Sequence, residues 1–289
     1  MKNPFFTGAC TALVTPFLNS QVNYPMVEQL LRRQIDSGIK TIVLAGTTGE
    51  APTLSVQEKI MLFGRSKSYV GKDCTIIAGT GSNSTSHAIE LSIAAESAGA
   101  DALLIVSPYY NKTTHDGLIT HYLSIATAVN IPIIMYNVPS RTGMDIPVSV
   151  YYELSKIPNI VGVKESTGDI TKISRIMQSC GPDFCVWSGN DDMTVPVIAS
   201  GGQGVISVTS NLYPANIKKM CDAALKGDFK TAAQMQHNMQ PINDLLFCEV
   251  NPIPIKAAMK LSGYDCGPCR LPLSNLSSTN LEKLKNYLS

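Results

Sequence analysis

The chain has 289 residues, 44% of them hydrophobic and 16% charged, with a net charge of +1. That is enough for one large α/β domain or two small ones with an ordinary globular core. The near-neutral charge gives no electrostatic footprint for nucleic acid or an anionic membrane, and no apolar run approaches the ~18 residues that a bilayer-spanning helix needs.

Met1 to Phe17 carries a single Lys and is interrupted by Gly8, Thr11, Thr15 and Pro16. No small-residue cleavage site follows, so no signal peptide is expected and the predicted location is cytoplasmic. Strand-like runs then recur along the chain at Gly8–Pro16, Thr41–Ala45, Thr75–Gly79, Ala102–Ser107, Ile133–Val138, Ile160–Glu165, Phe184–Ser188 and Val205–Thr209. Segments of helical spacing alternate with them, as in Val27, Leu30, Leu31 and Ile35, or Leu118, Tyr122 and Ile125. Ser55 with Glu58 forms a capping box, and Asp169 is an N-cap candidate. Eight β-then-α units predict an α/β fold, a closed (β/α)8 TIM barrel. An open doubly wound sheet would show a G-x-G-x-x-G turn after its first strand, and Thr15-Pro16-Phe17 is not one. Helical patterns at Asn216–Ala224, Asp228–Phe247, Ile253–Leu261 and Leu281–Leu288 follow the eighth strand. The expected division is a barrel over 1–225 and a small C-terminal helical appendage over 226–289.

In such barrels chemistry sits where strands run into their following loops. Strand two ends in Gly46-Thr47-Thr48-Gly49-Glu50, a turn of hydroxyls and open backbone N–H groups suited to a small carboxylate. Strand four ends in Pro108-Tyr109-Tyr110-Asn111, and strand five in Tyr136-Asn137-Val138-Pro139, followed by Ser140-Arg141-Thr142-Gly143. Strand six delivers Lys164, and strand seven Ser188-Gly189-Asn190-Asp191. Alternation puts Ile160, Gly162 and Lys164 on one face, where Gly162 is expected to leave space beside the amine. A lysine in an apolar pocket has a lowered pKa, and its neutral amine can attack a ketone to form a Schiff base. Each residue alone has a plainer explanation: a turn, a packed tyrosine, a solvated arginine, a lysine snorkelling from a strand end. Together they supply a nucleophilic amine, phenols that can move protons, a carboxylate-binding turn and a guanidinium fork. No cluster has metal-ligand spacing and there is no phosphate-binding P-loop, so the site reads as a metal-free, Schiff-base carbon–carbon lyase or synthase acting on keto acids.

Most of the eight cysteines are scattered through strands and helices, as buried thiols in a reducing cytoplasm are. Cys266-Gly267-Pro268-Cys269 is a C-x-x-C of the redox type, but Pro272 argues against the helix that would stabilise a thiolate, and no second pair completes a zinc ribbon.

The motifs GTTGE (46–50), GTGSN (79–83), SPYYNK (107–112), YNVPSRTG (136–143), VGVKES (161–166), GVISVTSN (204–211) and NPIPIKAAM (251–259) resemble those of the class I, pyruvate-dependent aldolase family over essentially the whole chain. The resemblance implies that Lys164 forms an imine with pyruvate and needs no other cofactor. It implies a proton relay of Tyr136, Thr47 and Tyr110, the last reaching into a neighbouring subunit's site. Thr48 and the Ile206 backbone would hold pyruvate, Gly189 would line the pocket, and Arg141 would take the carboxylate of L-aspartate-4-semialdehyde. A homo-oligomer, a tetramer built as a dimer of dimers, is implied as well. Thr113 stands where many members have Pro, and Asn190 where many have Asp. In members inhibited by lysine, the ligand sits between subunits at positions matching Ala51, Pro52, Val56, Lys59, Asn83, His87 and Tyr109. His87 replaces a glutamate there and Lys59 often a histidine, so weak or absent feedback is expected. Another lyase on the same fold, such as N-acetylneuraminate lyase or 2-keto-3-deoxy-gluconate aldolase, and a non-catalytic binding protein that has kept the barrel are the alternatives.

Overall fold

The computed structural model describes residues 4–289; the first three residues of the stretch read for a signal peptide lie outside it. Eight parallel strands close into a barrel in chain order: β1 (Gly8–Ala12), β2 (Thr41–Leu44), β3 (Thr75–Gly79), β4 (Ala102–Val106), β5 (Ile133–Asn137), β6 (Ile160–Glu165), β7 (Cys185–Ser188) and β8 (Gly204–Ser207), with β8 pairing back onto β1. This is the expected (β/α)8 architecture, and strands buried on both faces explain why they read as continuous apolar runs.

Alternation divides the core into two layers. Cys10, Val43, Ile77, Leu104, Ile134, Trp187 and Ile206 cluster together and fill the barrel, one from every strand but β6. Phe6 enters from the end where the strands begin, stacks on Trp187 with ring centroids 4.6 Å apart, and accepts the indole N–H at its carbonyl (3.2 Å). The intervening positions, such as Ile42, Ile76, Leu103, Ile133, Val163 and Val186, pack instead against the surrounding helices.

The helices begin where capping chemistry allows. α1 (Tyr24–Asp36) is capped by Asn23, α2 (Val56–Val70) by the Ser55–Glu58 box, α3 (Thr85–Ser97) by Ser84 and α4 (His115–Ala128) by Thr114. A single turn, α5 (Pro139–Thr142), precedes α6 (Val148–Leu154), and Asp169 caps α7 (Ile170–Cys180) through the Thr171 and Lys172 N–H groups. After α8 (Thr194–Ala199) and α9 (Pro214–Leu225), the chain adds α10 (Phe229–Leu246), α11 (Ile253–Leu261) and α12 (Ser278–Leu288). α10 is bonded directly to the barrel mouth: Gln236 accepts from the Val195 N–H and donates to the Asp191 carbonyl, each at 3.0 Å, and Thr209 donates to Asn243 at 2.7 Å. No helix among the described residues is long and apolar enough to cross a membrane.

Three local expectations are corrected. β1 stops at Ala12 rather than running to Pro16: the Val14 N–H turns to the Asn211 side chain (3.1 Å), Pro16 has no N–H to give a ladder, and a short antiparallel pair, Phe17–Leu18 with Gln21–Val22, follows. The eighth strand begins one residue early, at Gly204, and ends at Ser207, because Thr209–Asn211 winds into a 3-10 turn. Gly162 leaves no space beside the amine. A Cβ there would meet the Cys185 carbonyl oxygen at 2.2 Å and the Trp187 ring at 2.8 Å, so the glycine serves close packing of β6 on β7.

Candidate active site

Lys164 is 4% exposed and stands at the penultimate position of β6, opposite Tyr136 on β5 and Trp187 on β7. Its Nζ lies 4.3 Å from the centroid of the Tyr136 ring. Among the described residues no carboxylate lies within ion-pair distance of it. The Cys10 thiol shares the barrel interior with the amine, and burial pushes that thiol far up, so it stays neutral.

The residues next to Lys164 in sequence face outward and are pinned. Glu165 accepts from Asn137 Nδ2 (2.9 and 3.1 Å), from the Tyr151 hydroxyl (3.0 Å) and from the Thr167 N–H (3.0 Å). Asn137 also donates to Asp145 at 2.8 Å, and Lys172 pairs with both Asp145 and Glu165. This network fixes the ends of β5 and β6, and with them the positions of Tyr136 and Lys164. Gly189 must be bare, since a Cβ there would meet the Ser166 hydroxyl at 1.8 Å and Lys164 Cε at 3.0 Å. Asp191, buried and raised above the usual carboxylate range by desolvation, accepts from the Ser207 hydroxyl and from the Val208 and Thr209 N–H groups (2.9 and 3.1 Å), which orders the chain just after Ile206.

Beside Tyr136 opens a cavity of about 260 Å³, lined also by Thr47, Lys59, Gly79, Tyr109 and Arg141 among others. Lys164, Thr48, Gly189 and Ile206 are not among the residues that line it. The GTTGE turn is held from below. The Gly49 carbonyl accepts from the Thr15 hydroxyl (2.7 Å), and buried Glu50, at φ +56°, accepts from Lys256 Nζ (2.6 Å) and from the Arg270 N–H (2.8 Å). Thr48 Oγ1 accepts from Asn251 Nδ2 at 3.0 Å, and the Asn251 carbonyl accepts from Arg141 Nη2 at 3.2 Å.

The structure therefore gathers Lys164, Tyr136, Thr47, Thr48, Arg141, Gly189 and Ile206 at one barrel mouth. Tyr110 is not among them: its side chain is 91% exposed on a backbone with φ +69°, a strained conformation for an aromatic residue. Sequence reasoning missed the parts Asn251, Glu50 and Lys256 play at the site. The NPIPIKAAM stretch stood out as a motif, but its partners at the site lie 110 to 206 residues away. Cys266 and Cys269 are free thiols in irregular chain; burial raises them to about 12 and about 11, so neither presents a thiolate at neutral pH.

A closed parallel barrel with a buried amine and a neighbouring phenol at its carboxyl-terminal mouth has the build of a lyase of the class I aldolase kind. The sequence profile of the dihydrodipicolinate synthetase family matches residues 5–289, and the chain belongs to that family. It is 48% identical over 287 residues to a 4-hydroxy-tetrahydrodipicolinate synthase of Thermoanaerobacter sp. (strain X514), covering 99% of this chain and 97% of the relative. Dihydrodipicolinate synthase from Aquifex aeolicus superposes with a TM-score of 0.96 at 41% identity, covering 98% of this chain and 97% of that one. The enzyme from Cyanidioschyzon merolae with lysine bound gives 0.96 at 38% identity, covering 99% of this chain and 98% of that one.

Proposed function

We propose that this enzyme joins pyruvate to L-aspartate-4-semialdehyde through a Schiff base on Lys164, giving 4-hydroxy-tetrahydrodipicolinate. The amine attacks the pyruvate ketone, and water leaves as the imine forms. Loss of a methyl proton gives an enamine, whose terminal carbon attacks the aldehyde. The new chain's own amino group then displaces Lys164 at the imine carbon, closing the ring and freeing the amine. Tyr136 moves protons at each stage, with Thr47 and a partner subunit's copy of Tyr110 extending the relay. Thr48 and the Ile206 backbone hold the pyruvate carboxylate, Arg141 the semialdehyde carboxylate, and Gly189 gives room beside the imine. The covalent amine serves in place of a cofactor.

The observation that carries this reading is the buried Lys164 amine, 4.3 Å from the Tyr136 ring and with no carboxylate partner among the described residues. The exposed, strained Tyr110 supports a homo-oligomer, which we take to be a dimer of dimers. The free thiols suit the cytoplasm.

Borohydride reduction in the presence of pyruvate tests it. One adduct, mapped to Lys164 and absent from Lys164→Ala, is expected; an adduct elsewhere, or none, overturns the mechanism. Arg141→Ala should preserve the adduct while weakening use of the semialdehyde by about 2–5 kcal/mol. Equal loss of both half-reactions would show that Arg141 is not an acceptor residue.

A further inference from the structure

Asn251 touches both ends of the site. Its side-chain Nδ2 donates to Thr48 Oγ1 at 3.0 Å, and its main-chain carbonyl accepts from Arg141 Nη2 at 3.2 Å. The residue is 6% exposed, and its Oδ1 is buried with no hydrogen-bond partner among the described residues. A buried amide oxygen without a partner is unfavourable, and a hydrophobic residue would avoid it. What the amide supplies at this position is the donor.

A threonine hydroxyl has one proton to donate and two lone pairs with which to accept. An N–H pointed at Thr48 Oγ1 occupies a lone pair and leaves the hydroxyl proton free for a further acceptor. A carboxylate is acceptor-only, so Thr48 can bind one only if its own proton is unclaimed. The same residue's carbonyl holds the guanidinium that would meet the second carboxylate.

We infer that Asn251 is a positioning residue for both substrates, keeping the Thr48 hydroxyl proton available to the pyruvate carboxylate through its side chain and holding Arg141 through its backbone. The inference rests on the Schiff-base reading above. It divides the two roles between side chain and main chain, so substitution of the side chain should disturb the pyruvate end alone. A purely structural asparagine, needed only to start α11, would lower stability with no dependence on Thr48.

The test is steady-state kinetics on Asn251→Asp and Asn251→Ala, each alone and in a Thr48→Val background, with circular dichroism to establish folding. In N251D an acceptor faces Thr48, claims its proton and adds a negative charge beside the incoming carboxylate. The pyruvate KM should rise about ten- to a hundredfold, the KM for the semialdehyde should change less than about threefold, and Thr48→Val should remove the part that comes from the claimed proton, leaving a smaller rise from the added charge. Should N251D fail to fold, N251A carries the test: a rise of about three- to tenfold in pyruvate KM alone, abolished in the Thr48→Val background. An unchanged pyruvate KM, or a rise that is the same with and without the Thr48 hydroxyl, overturns the assignment. Borohydride trapping of the unsubstituted enzyme separates the two levels. Its failure refutes the Schiff-base mechanism, whereas a normal Lys164 adduct with unaltered variant kinetics refutes only the role of Asn251.

Discussion

Tyr136 and Lys164 face each other directly across β5 and β6, with the lysine Nζ 4.3 Å from the centre of the phenol ring. Both are buried, and the Asn137–Glu165 bond one position further along the same strand pair locks their register. A phenol beside a carbinolamine can pass protons to and from it. Tyr136→Phe should therefore lower kcat by about 10²–10⁴-fold, the range for loss of a general acid–base group, and should slow but not abolish pyruvate trapping. Stopped-flow trapping beside steady-state rates decides, and near-normal turnover would remove Tyr136 from the proton path.

Tyr110 is held in a left-handed backbone conformation with its ring in solvent, a local cost that isolated packing does not repay. If the ring completes a partner's site, activity must depend on association. Dilution to a monomer, followed by light scattering, should remove most turnover, and Tyr110→Phe should lower kcat without weakening assembly. A fully active monomer would contradict this.

Lysine feedback should be weak. Lys59 is buried on the wall of the cavity that also holds Thr47 and Arg141, with no carboxylate in ion-pair range among the described residues, and desolvation pulls its pKa below the ordinary lysine value. A bound lysine brings two ammonium groups. An ammonium within ~4–6 Å of Lys59 would meet a like charge, worth roughly 3–4 kcal/mol of repulsion at an effective dielectric of ~20, or force the Lys59 proton off. Titrating lysine into the coupled assay, with calorimetry alongside, should give no half-inhibition below the millimolar range. Sub-millimolar inhibition would mean that the ligand finds anions not offered by this wall.

Glu58 gives the enzyme an acid-sensitive clamp. Paired N–H groups of Arg270, at 2.9 and 2.5 Å, and the Ser55 N–H, at 2.9 Å, hold its carboxyl down to about 2 against an ordinary 4.5. A depressed folded-state pKa contributes stability above the unfolded value, and that contribution is lost as pH falls through the folded one. The stability gap between the native chain and Arg270→Ala should accordingly be widest at neutral pH and narrow between about pH 4.5 and 2. After allowance for solvent screening of this partly exposed pair, the narrowing should be roughly 1–2 kcal/mol. Urea unfolding across that range measures it, and a gap that does not change with pH would refute the clamp.

What was legible in the sequence was what depends on neighbours in the chain. Apolar runs bounded by Gly, Pro and Asn marked the eight strands, and Ser55 with Glu58 announced a cap that forms as read. Functional residues at strand ends were legible because a parallel barrel gathers all such ends at one mouth. Contacts set by register between strands were not. Gly162 looked like an opening beside Lys164, yet the space is taken by Trp187, a residue of the next strand whose placement no local pattern reveals. The hairpin at Phe17–Leu18 and Gln21–Val22 is too short for alternation to show. Asn251 was hidden for a similar reason, since its meaning lies in Thr48 and Arg141.

The Glu50–Lys256 pair sets an order of events during synthesis. The turn that carries Thr47 and Thr48 is translated first, and the groups that hold it, Lys256 and Arg270, follow more than two hundred residues later. Until they leave the ribosome, a carboxylate destined for burial has no cation to meet, and the turn has no floor. A nascent chain can thus lay down all eight barrel strands and still lack the floor of its first active-site turn, which residues beyond the barrel supply.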